Sequence, residues 1–154
     1  MRAPLLGGLC AVAAFALDQG SKAVALDALT SGVEVLPVLN LVLVRNHGVS
    51  FGMLGGLAPW WALALLSLVI VAALVVWLWR AHSGPLGVAL GLVIGGALGN
   101  VLDRARHGGV IDFLHLHLGG YHWPAFNLAD VAIVCGVGLV VLGYRREDPS
   151  SAEE

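Results

Sequence analysis

From residue 59 to residue 79 the chain runs for 21 residues (PWWALALLSLVIVAALVVWLW) with one hydroxyl, Ser67, and no charge. At the α-helical rise per residue such a run is roughly 30 Å long, the thickness of a bilayer's hydrocarbon core. A soluble core in a chain of 154 residues has no place to hide it. The whole chain is 58% hydrophobic and 12% charged, against about 25% charged in ordinary soluble domains. The sequence therefore reads as an integral membrane protein. Its net charge is −2 and it has no basic patch interleaved with aromatics, which sets nucleic-acid binding aside.

Residues 5–26, 85–102 and 126–144 are also apolar and of span length. The expected fold is membrane all-α, with four transmembrane helices at 5–26, 59–79, 85–102 and 126–144. Arg2, Arg80, Arg145 and Arg146 then share one side, which the positive-inside rule makes the cytoplasm, with both termini there. Arg45, Arg104 and Arg106 fall on the other side, against the rule, and this points to work for them at the outer face. Arg2, the apolar run after it and Ala14-Phe15-Ala16 also fit a cleavable signal peptide with an A-x-A site. Both readings orient the remaining spans alike. Cys10 follows Leu9, where a lipobox needs a small residue; with Cys135 it sits in an apolar run and behaves as a small hydrophobe.

Residues 33–44 (VEVLPVLNLVLV) are β-rich, too short to cross as a helix and interrupted by Pro37. A small extracytoplasmic β platform at 30–54 is expected between the first two spans. Residues 1–146 form one membrane-embedded domain, and 147–154 an acidic, disordered cytoplasmic tail.

The polar residues gather at the outer ends of the spans. Asp112 and Asp130 stand 18 residues apart, each beside a span. A carboxylate at a bilayer is costly and marks function by default; two that converge suggest an acid–base pair. Asp18 and Lys22 form an i, i+4 pair, acid first, read either as a neutralised pair easing burial or as a brace beneath an active site. Gly96, Asn100 and Arg104 recur at i, i+4 on one helix face. Packing explains Gly96 well and Arg104 poorly. Asp103, beside this stripe, can pair with Arg104 or Arg106. Asn127 fits a helix N-cap with Asp130 in the first turn. Asn46 to Gly52 (NHGVSFG) reads as a turn leaving the platform, with Asn46 and Gly48 as candidate contacts for a peptide backbone. His115, His117 and His122 raise a zinc alternative, although their alternation with apolar residues suits an interface equally. No serine lies in a nucleophile-elbow context.

Five of these pieces occur in order: DQGSK (18–22), NHGVSFG (46–52), GGALGNVLDR (95–104), GGVIDF (108–113) and FNLAD (126–130). Together they resemble the type II, or lipoprotein, signal peptidases of bacteria, over nearly the whole chain. The resemblance implies a multi-pass aspartic endopeptidase of the inner membrane. Such an enzyme cuts prolipoproteins before a diacylglyceryl-modified cysteine, needs no cofactor or metal, and works as a monomer among membrane lipids with its active site at the extracytoplasmic face. It implies Asp112 and Asp130 as the catalytic pair. Asn46, Gly48, Asn100, Arg104, Asn127 and Ala129 become substrate-binding positions, and Asp18, Lys22 and Gly96 supporting ones. Ser21 stands where the family usually has threonine and keeps the hydroxyl. The first span is retained in the family, which disfavours the signal-peptide reading.

On this reading the asparagines and Arg104 offer donors to peptide carbonyls, and the glycine-rich third span leaves room for a substrate helix to dock. The platform, with Trp60, Trp61 and Trp123, holds that helix at headgroup depth. A non-catalytic membrane protein, such as a small transporter or assembly factor, is the alternative; it predicts polar groups spread through the spans. A metal-dependent membrane protease is a third reading.

Overall fold

The computed structural model of the chain describes residues 2–29, 31–48 and 59–146. Each apolar run is a helix whose ends follow from local chemistry. α1 (Ala3–Ala28) has Pro4 in its first turn, where a missing N–H breaks no helical bond. α2 (Trp60–Trp79) is preceded by Pro59 in extended conformation. α3 (Gly84–His107) is capped by Ser83, whose Oγ accepts from the Leu86 N–H at 3.4 Å. It stops at Gly108, which takes a left-handed φ of 68°. α4 (Leu128–Arg146) follows Asn127. α1, α2 and α3 are each long and apolar enough to cross a membrane; the apolar part of α4, Leu128–Gly143, is shorter.

The helix bounds differ from the sequence expectation by up to five residues, and two of the differences bear on the site. α3 continues past residue 102 through His107, so Asp103 and Arg104 are helical, and both find partners in the protein. α4 begins at Leu128 rather than 126, because Phe126 is held by a strand. Its N–H donates to Leu114 O and its carbonyl accepts from the Leu114 N–H, each at 2.9 Å. Ala14, at the proposed cleavage motif, lies in mid-helix against Gly95 and is buried. The tail 147–154 and platform residues 30 and 49–54 lie outside the described residues.

The platform is a four-stranded antiparallel sheet in the order β1 (Val33–Leu36), β2 (Leu39–Asn46), β3 (Val110–Leu118), β4 (Tyr121–His122). It does not lie wholly between the first two helices, as the sequence reading had it: half comes from the segment joining α3 to α4. β2 pairs with β3 from Leu39↔Leu116 to Asn46↔Val110, so two distant connections share one sheet. Pro37 sits in the turn after the edge strand β1, where its lack of an N–H removes no ladder bond. Gly119 and Gly120, with φ of 56° and 87°, close the tight β3–β4 hairpin that only residues tolerant of positive φ can make. Phe113 of the sheet packs on Ala25 and Leu29 from α1, with Leu41, Leu114 and Leu128 around them.

α3 is the central helix. A Cβ at Gly87 would stand 2.5 Å from Ala3 O of α1, and one at Gly91 or Gly95 would overlap the carbonyl oxygens of Gly7 and Ala11. On another face, Gly96 leaves a Cβ 2.5 Å from Ala129 O, and Gly136 of α4 meets Ala89 O at 2.6 Å. These glycines let α1 and α4 lie backbone to backbone on α3. The room expected for a substrate helix along the third span is thus already filled by the protein's own helices. α2 joins the bundle through side chains, with Val71 and Leu78 packed into a cluster with Leu90 and Ile94.

Candidate active site

Where α1, α3, β3 and α4 meet, seven polar or charged residues are buried: Asp18, Lys22, Asn100, Asp103, Arg104, Asp112 and Asn127. Burying so many polar groups is tolerable only if each has a partner. Among the described residues no buried side-chain nitrogen or oxygen lacks one.

Asp112 enters near the start of β3, in the strand's buried half, and is 2% exposed. Its Oδ1 accepts from Asn127 Nδ2 at 2.7 Å and its Oδ2 from Asn46 Nδ2 at 3.1 Å. Asp130 lies in the first turn of α4 and is half-buried. Its Oδ1 accepts from Asn100 Nδ2 at 3.0 Å, and its Oδ2 from the Asn127 N–H at 3.4 Å. Asn127 returns the bond, its Oδ1 accepting from the Asp130 N–H at 3.0 Å. This reciprocal pair is a capping box with asparagine and aspartate in its two positions, as the expected N-cap role requires. Asn127 therefore touches both candidate carboxylates and links β3 to α4.

Burial pushes the Asp112 carboxyl up from its ordinary 3.8 to about 6; the bond from Asn46 opposes this, the Asp130 charge adds to it, and Asn127 and Lys22 oppose it. Two neighbouring carboxylates in a largely buried site do not both ionise readily. Outside them, a cleft of about 370 Å³ is lined by Asn46, Leu116, Trp123, Phe126, Asp130 and Val134 among others. Apolar side chains dominate its wall, so Asp130 and Asn46, whose amide binds Asp112 behind it, form the polar end of an otherwise greasy cavity.

The other predicted residues fall around this pair. Gly48 closes on Asn46, its N–H donating to Asn46 Oδ1 at 3.0 Å. Arg104 reaches Asn100 O and Gly48 O, both at 3.2 Å, bridging α3 to the loop after β2. Gly96, Asn100 and Arg104 do share one face of α3. Asn46, Asn100 and Asn127, expected to offer donors to a peptide, here give their amide hydrogens to Asp112 and Asp130. Asp18 and Lys22 lie directly beneath. Asp18 Oδ1 accepts from the Ala129 N–H at 2.9 Å, and Lys22 Nζ donates to Asp18 Oδ2 at 2.8 Å and to Asn100 Oδ1 at 3.0 Å.

Two residues carry more than sequence reasoning assigned them. Asp103 pairs with Lys22 at 2.7 Å, and not with Arg104 or Arg106. Gln19 donates to Asp18 Oδ2 at 3.1 Å and to Asp103 Oδ1 at 3.0 Å. Neither carries a local sequence signal, because Gln19 and Lys22 of α1 meet Asp103 only where α1 packs on α3. The histidines lie elsewhere, on the sheet. The rings of His115, His117 and His122 pack together with centroids 5.2 to 6.0 Å apart. Among the described residues no three His, Cys, Asp or Glu side chains are grouped to hold a metal.

Fold and site together define an integral membrane protein with a buried polar centre at one end of a helical bundle. Two solved bacterial membrane enzyme structures share the fold. One has a TM-score of 0.85 at 30% identity, covering 96% of this chain and 92% of the other; the second has 0.80 at 31%, covering 92% and 94%. The sequence profile described as "Signal peptidase (SPase) II" matches residues 10–145. Relatives include the lipoprotein signal peptidases of Methylorubrum extorquens (strain PA1), 45% identical over 93% of this chain and 87% of the relative, and of Aquifex aeolicus (strain VF5), 44% identical over 87% and 82%. The chain belongs to the signal peptidase II family and is a peptidase.

Proposed function

We propose that the chain removes signal peptides from prolipoproteins, cutting before a diacylglyceryl-modified cysteine, with Asp112 and Asp130 as the catalytic pair. The observation that carries this reading is the convergence of the two carboxylates on Asn127, with Asp130 and Asn46, the partner of Asp112, lining the polar end of an apolar cleft. A lipidated substrate needs that combination: hydrocarbon walls for an acyl chain, and beside them a place where water can be activated.

Amide hydrolysis without a covalent intermediate needs a nucleophilic water and a protonated leaving amine. Two neighbouring carboxylates sharing one proton supply both. The ionised member takes a proton from water as its oxygen attacks the scissile carbonyl. The neutral member hydrogen-bonds the carbonyl oxygen, and a proton then passes to the amine nitrogen as the C–N bond breaks. The pair titrates as a unit. Asn46, Asn100 and Asn127 hold the carboxylates in place, and Arg104, whose guanidinium already binds two carbonyl oxygens, is the donor suited to substrate carbonyls.

The same reading places the enzyme in the bacterial inner membrane. α4 completes a fourth crossing, since its short apolar part starts beneath a polar site at headgroup level. Arg2 and Arg80, at the end remote from the sheet, put that end and both termini in the cytoplasm, and the sheet and active site at the extracytoplasmic face.

The test is cleavage of a diacylglyceryl-modified precursor by the purified protein. Wild type cleaves it, with or without a chelator. Asp112→Asn and Asp130→Asn each lose about 10³-fold or more in rate while remaining folded in the membrane. Full activity in either variant sinks the mechanism, and loss on chelation revives the metal reading.

A further inference from the structure

Each candidate catalytic aspartate is preceded by a residue whose backbone N–H is held by a deeper carboxylate. The Ala129 N–H, before Asp130, donates to Asp18 Oδ1 at 2.9 Å; the Ile111 N–H, before Asp112, donates to Asp103 Oδ2 at 3.1 Å. The two deeper carboxylates are themselves tied together. Lys22 Nζ lies 2.8 Å from Asp18 and 2.7 Å from Asp103, and Gln19 Nε2 lies 3.1 Å from one and 3.0 Å from the other. Gln19 Nε2 also lies 3.3 Å from Gly99 O, while Gly99 itself has no room for a Cβ, which would overlap Asp18 Oδ2. The third Lys22 donor goes to Asn100 Oδ1, which turns the Asn100 amide so that its Nδ2 faces Asp130.

Neutralising a buried lysine needs one carboxylate, and Asp18 supplies it from the next turn of the same helix. A second buried carboxylate adds a desolvation cost that an apolar residue would avoid, and a glutamine adds no charge at all. Their contacts show what they contribute: Asp103 holds the amide beside Asp112, and Gln19 holds Asp103 to Asp18. Asp112 and Asp130 come from different elements, a strand and a helix, and repel one another when both are ionised. Asn127 ties their side chains together, and the backbones that carry them still have to be held at a fixed separation.

We propose that Gln19 and Asp103 are positioning residues for peptide hydrolysis. With Asp18 and Lys22 they form one rigid unit across α1 and α3 that fixes the backbone one residue before each catalytic aspartate, and so fixes the spacing of the pair. This rests on Asp112 and Asp130 being the reacting pair. Misplacement of a reacting group by about 1 Å costs roughly 10²-fold in rate, which sets the scale of the effect.

The experiment measures kcat, KM and the pH–rate profile on the diacylglyceryl-modified precursor, with the thermal unfolding midpoint in the same detergent. Asp103→Ala removes the acceptor for the Ile111 N–H, Asp103→Asn keeps an acceptor oxygen, and Gln19→Met removes the tie at similar volume. Expected are a kcat loss of about 10²-fold in Asp103→Ala and about tenfold in Gln19→Met, with KM within about threefold of wild type. Asp103→Asn restores most of the rate. In the two impaired variants the acid and alkaline limbs of the pH profile move closer together, because a looser pair is less strongly coupled. Wild-type kcat and unmoved limbs in folded Asp103→Ala and Gln19→Met overturn the proposal, as does activity that falls only in proportion to the folded fraction. Asp112→Asn and Asp130→Asn run alongside: if they are inactive while Gln19→Met and Asp103→Ala match wild type, only the positioning role fails. If either retains full activity, the catalytic pair itself is wrong.

Discussion

α2 and the junction of α1, α3 and α4 are both buried in or beside hydrocarbon, yet they are held by opposite means. α2 carries no charge over 20 residues, and Leu65, Leu66, Val69 and Ile70 of its outer face are exposed. Its one hydroxyl, Ser67, bonds back to Leu63 O of its own helix at 2.9 Å. The junction instead buries a lysine, an arginine, three aspartates and two asparagines in mutual contact. For α2, lipid and protein are nearly equivalent surroundings, so its packing tolerates exchange of one apolar side chain for another. At the junction every group depends on a particular neighbour, and close backbone contact at glycines leaves no slack.

The contrast should be broken most sharply by Asp112→Asn or Asp130→Asn: on the proposed function, a change of one atom type at the junction is expected to lower activity about 10³-fold or more. Packing gives the next largest effect. Gly95→Val drives a side chain into Ala11 O of α1, and should lower unfolding stability by about 1–3 kcal/mol or more. Val69→Ala, on a residue 60% exposed, should stay within about 0.5 kcal/mol. Parallel thermal unfolding in detergent measures both, and equal losses would erase the distinction. Arg104→Lys keeps the charge but loses the planar fork that reaches Gly48 O and Asn100 O together. The expected activity loss is about tenfold, at the scale of one charged hydrogen bond.

The smallest effect is on the pH dependence of stability. The folded Asp112 carboxyl titrates near 6, above its ordinary 3.8, so the folded state binds this proton more tightly than the unfolded state. Protonation of Asp112 therefore stabilises the fold. That contribution is full below about pH 4 and lost as pH rises through 6. Asp112→Asn lacks the charge, so its unfolding midpoint relative to wild type should be higher at pH 7.5 than at pH 5. A difference that stays constant across this window would show that Asp112 titrates outside it.

The sequence made much of this visible. The apolar runs mark the helices because span length and hydropathy are properties of a continuous segment. Asn127 as a cap, Pro37 as a break and the i, i+4 stripe of Gly96, Asn100 and Arg104 follow from local geometry in the same way. Asp112 and Asp130 stood out as candidates because a carboxylate beside a membrane-length run has few uses. Asp103 was misjudged toward Arg104 and Arg106, its near neighbours in the chain, since its partner Lys22 lies on another helix.

What the sequence determined by itself, then, is what each segment is: which parts are apolar helix, and which polar residues are candidates for chemistry. What only the tertiary structure decided is which residues meet. The pairing of β2 with β3 makes one sheet from two separated connections, and the glycine face of α3 sets α1 at the depth where Lys22 reaches both Asp18 and Asp103. The physical reason is one of range. Hydrophobic periodicity and capping act over a few residues, whereas the partner of a buried charge is chosen by how closely two backbones approach, and that distance is set by packing across the whole bundle.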